Sequence, residues 1–147
     1  VDATKNLLMN VLRYKPFLIK PNNHELAEMF NVELTGNPMI AEYAKRLQDL
    51  GARNVIISMA GDGAIFVPEN GEAVFLPAPK GQVVNSVGAG DSMVAGFTAG
   101  SAQGLAPEEA FKLGVATGSA SAFSELLAEK KDVEKLLSTL PAPSPVE

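Results

Sequence analysis

Residues 85–97 read NSVGAGDSMVAGF, and within them Gly88, Ala89 and Gly90 stand directly before a single acid, Asp91. Two glycines around an alanine suit a tight turn, and the small and apolar residues after Asp91 suit the start of a helix. The first backbone N–H groups of a helix have no intrahelical acceptor, so here they point into one concavity that favours anions. Asp91 then either caps that helix and leaves the glycines to the turn, or serves a ligand bound beside them. Ala95 and Gly96 are small enough to let the helix pack close to a sheet and bring its terminus to the strand ends, where open α/β sheets bind ligands.

Further chemistry-bearing residues lie upstream. In KPNNHEL, Asn22 and Glu25 have the spacing of a capping box, in which each side chain satisfies the other's backbone N–H. His24, the only histidine, reads as a surface residue of the same short helix. Met93 and Phe97, four residues apart, read as core. Small residues around Val115, Ala116, Thr117 and Gly118 suit close helix packing.

The elements that must position these groups follow from periodicity. Leu7, Leu8, Val11 and Leu12 form a helical stripe, broken at Pro16 before the apolar run Phe17, Leu18, Ile19. A second helix follows Pro21 and Asn22. A third is marked by Ile40, Tyr43, Ala44, Leu47 and Leu50 and closed by Gly51. Val55, Ile56 and Ile57 read as a strand buried on both faces, and the strand–helix–strand rhythm predicts an α/β fold with a mostly parallel sheet flanked by helices. Two strand patterns around Asn70-Gly71 predict a small antiparallel hairpin flap. After the strand-like Val83-Val84, helices are expected from Ser92 to about Gln103, from Pro107 to about Leu127 and from Asp132 to Leu140, with PAPSPVE frayed.

Composition excludes several functions. The 147 residues carry 46% hydrophobic content and a net charge of −5, and no basic stripe offers a grip on nucleic acid or an anionic membrane. The expected partner is a small molecule. No apolar stretch approaches the roughly 20 residues that span a bilayer, and no leader opens the chain, so a soluble, cytoplasmic protein is expected. The absence of cysteine rules out thiolate chemistry and disulfides.

NSVGAGDSMVAGF follows the second signature of the ribokinase-like PfkB carbohydrate kinases position for position. KPNNHEL resembles that family's N-x-x-E segment through Asn22 and Glu25. SMAGDG resembles its nucleotide-loop pattern S-L-G-x-x-G. Within the family, NSVGAGDSMVAGF and the preceding IKPN most resemble the 1-phosphofructokinases, then the tagatose-6-phosphate kinases. The resemblance covers the family's C-terminal half and implies that the N-terminal half, with most sugar contacts and the lid, lies outside residues 1–147. It implies a sugar-phosphate kinase using ATP and Mg2+, and a homodimer for the intact parent.

The same resemblance implies roles. Gly88, Ala89 and Gly90 form the anion hole, and Asp91 accepts the proton of the attacking substrate hydroxyl. Because the positive end of a helix steadies a carboxylate as the anion, orientation rather than basic strength is the main role expected of Asp91. Ser58, Met59, Ala60, Gly61, Asp62 and Gly63 contact the nucleotide, with Ala60 where relatives commonly have glycine. Alanine there is strained if the position needs positive φ, unless Gly61 takes up the turn. Glu25 and Asn22 hold magnesium through water, and Lys20 reaches a phosphate. The region 115–118 occupies the place where relatives line the adenine pocket.

Two other classes remain in view. Gly90-Asp91-Ser92-Met93 also resembles the G-D-S-L box of certain esterases, with Ser92 as nucleophile, but His24 lies on the wrong side of that box to be its base. A half-domain could also act as a non-catalytic nucleotide-binding piece.

Overall fold

The computed structural model describes residues 3–81, 83, 88–123 and 129–146, which fall into two compact units. The first comprises Val1–Met59, Ala64–Phe75 and Ser144–Glu147, and the second Ala60–Gly63 and Leu76–Pro143.

The first unit is α/β. Its elements are α1 (Ala3–Leu12), β1 (Leu18–Ile19), α2 (Asn23–Phe30), α3 (Asn37–Asp49), β2 (Asn54–Ser58), β3 (Ala64–Val67), β4 (Val74–Leu76) and β5 (Ser144–Pro145). Among the described residues the strands form one five-stranded sheet in the order β1-β2-β3-β4-β5. The parallel pairing expected from the strand–helix–strand rhythm joins β1 to β2, with Ile19 opposite Val55. Beyond it the sheet turns antiparallel, and β2 pairs with β3 from Val55↔Val67 to Ser58↔Ala64. The two strand patterns flanking Asn70-Gly71 are β3 and β4, neighbours in this same sheet.

Alternation along the strands explains the core. Val55, Ile57, Ile65 and Val67 share one face and pack with Leu26, Met29, Ile40, Ala44 and Leu47 from α2 and α3. Burying each such Val, Leu or Ile contributes about 1.5–3 kcal/mol. Ile56 and Phe66, on the opposite face, are also fully buried. Two apolar stripes are narrower than the periodicity suggests. Leu12 is buried while Leu7 is 65% exposed, and Leu50, beyond the last helical residue of α3, is 46% exposed.

Backbone conditions join the elements. Gly51 (φ +135°) ends α3 against the backbone carbonyl of Leu12, leaving no room for a Cβ. Asn54, buried in β2, donates from Nδ2 to the Phe17 carbonyl at 2.9 Å and accepts at Oδ1 from the Glu69 N–H at 3.0 Å. Gln48 donates from Nε2 to the carbonyls of Arg53, Val67 and Pro68. On the surface, Arg53 Nε meets Glu69 Oε2 at 2.9 Å. That hydrogen bond, more than the charge attraction, holds the Glu69 carboxyl below its usual range.

The C-terminal expectation needs correction. Residues 141–147 do not fray throughout, because Ser144 and Pro145 form β5 beside β4 and the Val146 N–H donates to the Ala73 carbonyl at 3.1 Å. Pro145 lacks a donor, and the edge of a sheet is where proline is tolerated.

The second unit contains a short 3-10 turn (Ala60–Asp62) and the helices α4 (Ala89–Ala102), α5 (Pro107–Ala122) and α6 (Lys130–Thr139). Pro107 in the first turn of α5 and the acids Glu108 and Glu109 suit a helix start. Gly96 and Gly100 on α4 face Gly114, Thr117 and Ala110 on α5, so closely that a Cβ on Gly96 would lie 2.7 Å from Thr117 Oγ1. Gly96 therefore closes α4 onto a helix, where close packing on a sheet was expected, and Ala95 is exposed. Phe97 and Phe111 are fully buried. Val83 carries no strand, while Val84, residues 85–87 and residues 124–128 lie outside the described residues. Among the described residues no helix is long and apolar enough to cross a membrane.

Candidate active site

In the second unit, the chain enters α4 through Gly88, whose φ of +84° places it in the left-handed region that favours glycine. Gly88 is the N-cap, and the first helical bond runs from the Ser92 N–H to the Gly88 carbonyl at 2.9 Å. The N–H groups of Ala89, Gly90 and Asp91 therefore stand at the open end of the ladder. Among the described residues no side chain of the N-cap makes a capping hydrogen bond here. No described atom lies within 4 Å of where a Cβ on Gly88 would stand. Asp91 is exposed at the third helical position. The geometry leaves backbone donors and a carboxylate together at this helix terminus.

Asn22 and Glu25 behave differently. The Glu25 N–H donates to Asn22 Oδ1 at 2.8 Å and the Asn22 N–H donates to Glu25 Oε1 at 2.9 Å, which closes the expected capping box of α2. Asn22 bridges to Ser58 in parallel register, and the Ser58 N–H donates to the Pro21 carbonyl at 3.2 Å. The first unit therefore gathers Lys20, Asn22, Glu25 and Ser58 at the carboxyl ends of β1 and β2. Lys20 is half-buried and His24 exposed.

The candidate nucleotide loop begins where β2 ends. Met59 is buried in the core of the first unit, so its side chain is committed to packing. Ala60 to Asp62 form the 3-10 turn and are exposed. Ala60 adopts φ +50°, so alanine itself takes the left-handed conformation and Gly61 does not relieve it. Gly63 (φ +101°) closes the turn, its N–H donating to the Ala60 carbonyl at 3.2 Å.

The residues fit the implied ligands in different degrees. The open terminus of α4 suits a phosphate. For magnesium, the capping box already engages Glu25 Oε1 and Asn22 Oδ1. Among the described residues no group of three or more His, Asp or Glu gathers. That donor set fits a hydrated magnesium ion that keeps its waters and takes further ligands from phosphates.

Val115, Ala116 and Gly118 are buried. Gly118 lies against the first turn of α4, where an added Cβ would stand 2.9 Å from the Ala89 carbonyl oxygen. Sequence reasoning missed this contact. The small residues at 115–118 signalled close helix packing, and the recurrence of glycine at i, i+4 in Gly96/Gly100 and Gly114/Gly118 adds to that signal, but neither names the first turn of α4 as the partner.

The sequence matches the pfkB family of carbohydrate kinases over residues 2–133, and the chain belongs to that family. It is 50% identical over 137 residues to the 1-phosphofructokinase of Bacillus subtilis, covering 93% of this chain and 45% of that protein. It is 38% identical to the D-tagatose-1-phosphate kinase of Bacillus licheniformis, covering 92% of this chain and 44% of that one. The structure matches phosphofructokinase-2 of Escherichia coli in complex with substrates and products with a TM-score of 0.84 at 31% identity, over 91% of this chain and 44% of that one. It matches ribokinase of Thermotoga maritima with a TM-score of 0.74 at 25% identity, over 89% and 45%. The fold is thus ribokinase-like, and the chain spans about half the length of the curated relatives it matches. The hydrolase reading built on Ser92 has no counterpart in this family.

Proposed function

We propose that the protein containing this chain is an ATP-dependent sugar-phosphate kinase that converts fructose 1-phosphate to fructose 1,6-bisphosphate. The observation that carries the reading is the N-terminus of α4, entered through the left-handed Gly88, where the first helical N–H groups adjoin the exposed carboxylate of Asp91.

Phosphoryl transfer is governed by positioning and charge stabilisation, because the transition state in most analyses is loose. In this reading the turn at Gly88, Ala89 and Gly90 supplies backbone donors to the charge that develops on the transferring group. Asp91 orients the attacking hydroxyl and takes its proton as the new oxygen–phosphorus bond forms and the bond to the ADP oxygen breaks. Residues 58–63 and Lys20 hold the nucleotide. Glu25, with Asn22, would hold magnesium through water, and that ion would offset phosphate charge. Most sugar contacts belong to segments outside these 147 residues.

The test is an assay of the full-length protein with MgATP against fructose 1-phosphate, fructose 6-phosphate, tagatose 1-phosphate and tagatose 6-phosphate. Fructose 1-phosphate is expected to give the highest kcat/KM. A tagatose phosphate is the rival acceptor, favoured by the similarity to a D-tagatose-1-phosphate kinase; preference for it would overturn the substrate assignment. Asp91→Asn is expected to lower kcat by about 10²-fold or more with KM little changed. Near-wild-type turnover in that variant would remove Asp91 from the mechanism.

A further inference from the structure

We propose that Gly118 is a positioning residue for the phosphate-binding turn at the start of α4, an inference that rests on the kinase reading above. Gly118 is buried in the last turns of α5. An added Cβ would stand 2.9 Å from the Ala89 carbonyl oxygen and 3.2 Å from Met93 Cβ. The first distance is too short for carbon against a backbone oxygen, and no flexible side-chain end is there to yield.

The Ala89 carbonyl and the Gly90 N–H belong to one planar peptide unit. A push on that oxygen tilts the plane about the axis joining the two Cα atoms, and the Gly90 N–H swings with it. This N–H is one of the donors at the open terminus. The bare face of Gly118 therefore sets the angle at which a donor meets the transferring phosphoryl group. The same glycine lets α5 approach closely enough to brace the turn, whose N-cap has no side chain of its own to hold it.

A comparison within the same helix pair separates aim from stability. Gly100, toward the other end of α4, also packs tightly on α5, with an added Cβ 3.2 Å from Ala110 Cα. In the full-length enzyme, Gly118→Ala should lower kcat about 10-fold, in line with the sensitivity of transfer reactions to small misplacements, with little change in KM for the sugar phosphate. The Gly90 amide resonance should move in the same variant. Gly100→Ala should lower stability while leaving both kcat and that resonance at wild-type values.

Equal kcat in the two variants, or an unmoved Gly90 amide in Gly118→Ala, would overturn the proposal. Collapse of the fold in Gly118→Ala alone would also overturn it, since the glycine would then hold the helices together rather than aim one turn. Should the wild-type protein transfer no phosphoryl group to any acceptor, the kinase reading fails by itself, and the Gly90 resonance still decides whether Gly118 sets the turn.

Discussion

Asn54 ties three separated stretches together with a single side chain. Its two ends satisfy the Phe17 carbonyl and the Glu69 N–H, and it is buried itself. Asn54→Ala takes the Oδ1 acceptor from the Glu69 N–H and one donor from the Phe17 carbonyl, which keeps the Asn54 N–H at 3.1 Å, and is expected to cost about 1–3 kcal/mol, measured by urea denaturation. A loss below about 0.5 kcal/mol would mean that water replaces the amide. The residue scale is also where the sequence is most legible. The Asn22–Glu25 box could be read because both partners lie within one helical turn, so local spacing decides the contact. Asp91 was readable as a residue behind a glycine turn, but not that Gly88 itself is the N-cap, because that depends on its left-handed φ. The left-handed Ala60 was legible only as a conditional, since alanine does not announce that conformation.

At the scale of elements, close approach decides more than propensity. Gly51 lets the end of α3 meet the end of α1, combining a positive φ with a backbone neighbour on its open side. Gly51→Ala adds conformational strain to a steric clash and is expected to destabilise by roughly 3 kcal/mol, seen as a lowered denaturation midpoint without loss of helix content at low denaturant. A shift under about 0.5 kcal/mol would mean that the two helices separate freely. The α4–α5 pair shows why such contacts are hard to read from sequence. Glycine spacing marks a face for close packing on each helix, but it does not name the surface that will meet it. Gly96 accordingly meets α5, and neighbouring Ala95 meets solvent.

At the scale of the molecule, the first unit is assembled from stretches far apart in sequence, and its last strand comes from residues 144–145. Nothing in Ser144-Pro145 signals a strand: it is short, exposed and contains proline, and β4 supplies the template. Deleting residues 144–147 should leave the β4 edge unpaired, lower stability by about 1–2 kcal/mol and raise the tendency to aggregate. Light scattering and denaturation of the truncated and intact proteins would measure both effects; identical behaviour would show that β5 contributes nothing.

The pairing of β5 also orders events in time. Strands β1 to β4 emerge from the ribosome before residues 144–145, so among the described strands β4 gains its outer partner only once residue 145 has been made. During synthesis of α4, α5 and α6, the edge at β4 remains open to other strands. The order of translation thus makes Ser144 and Pro145 the last of the described strands to join the sheet.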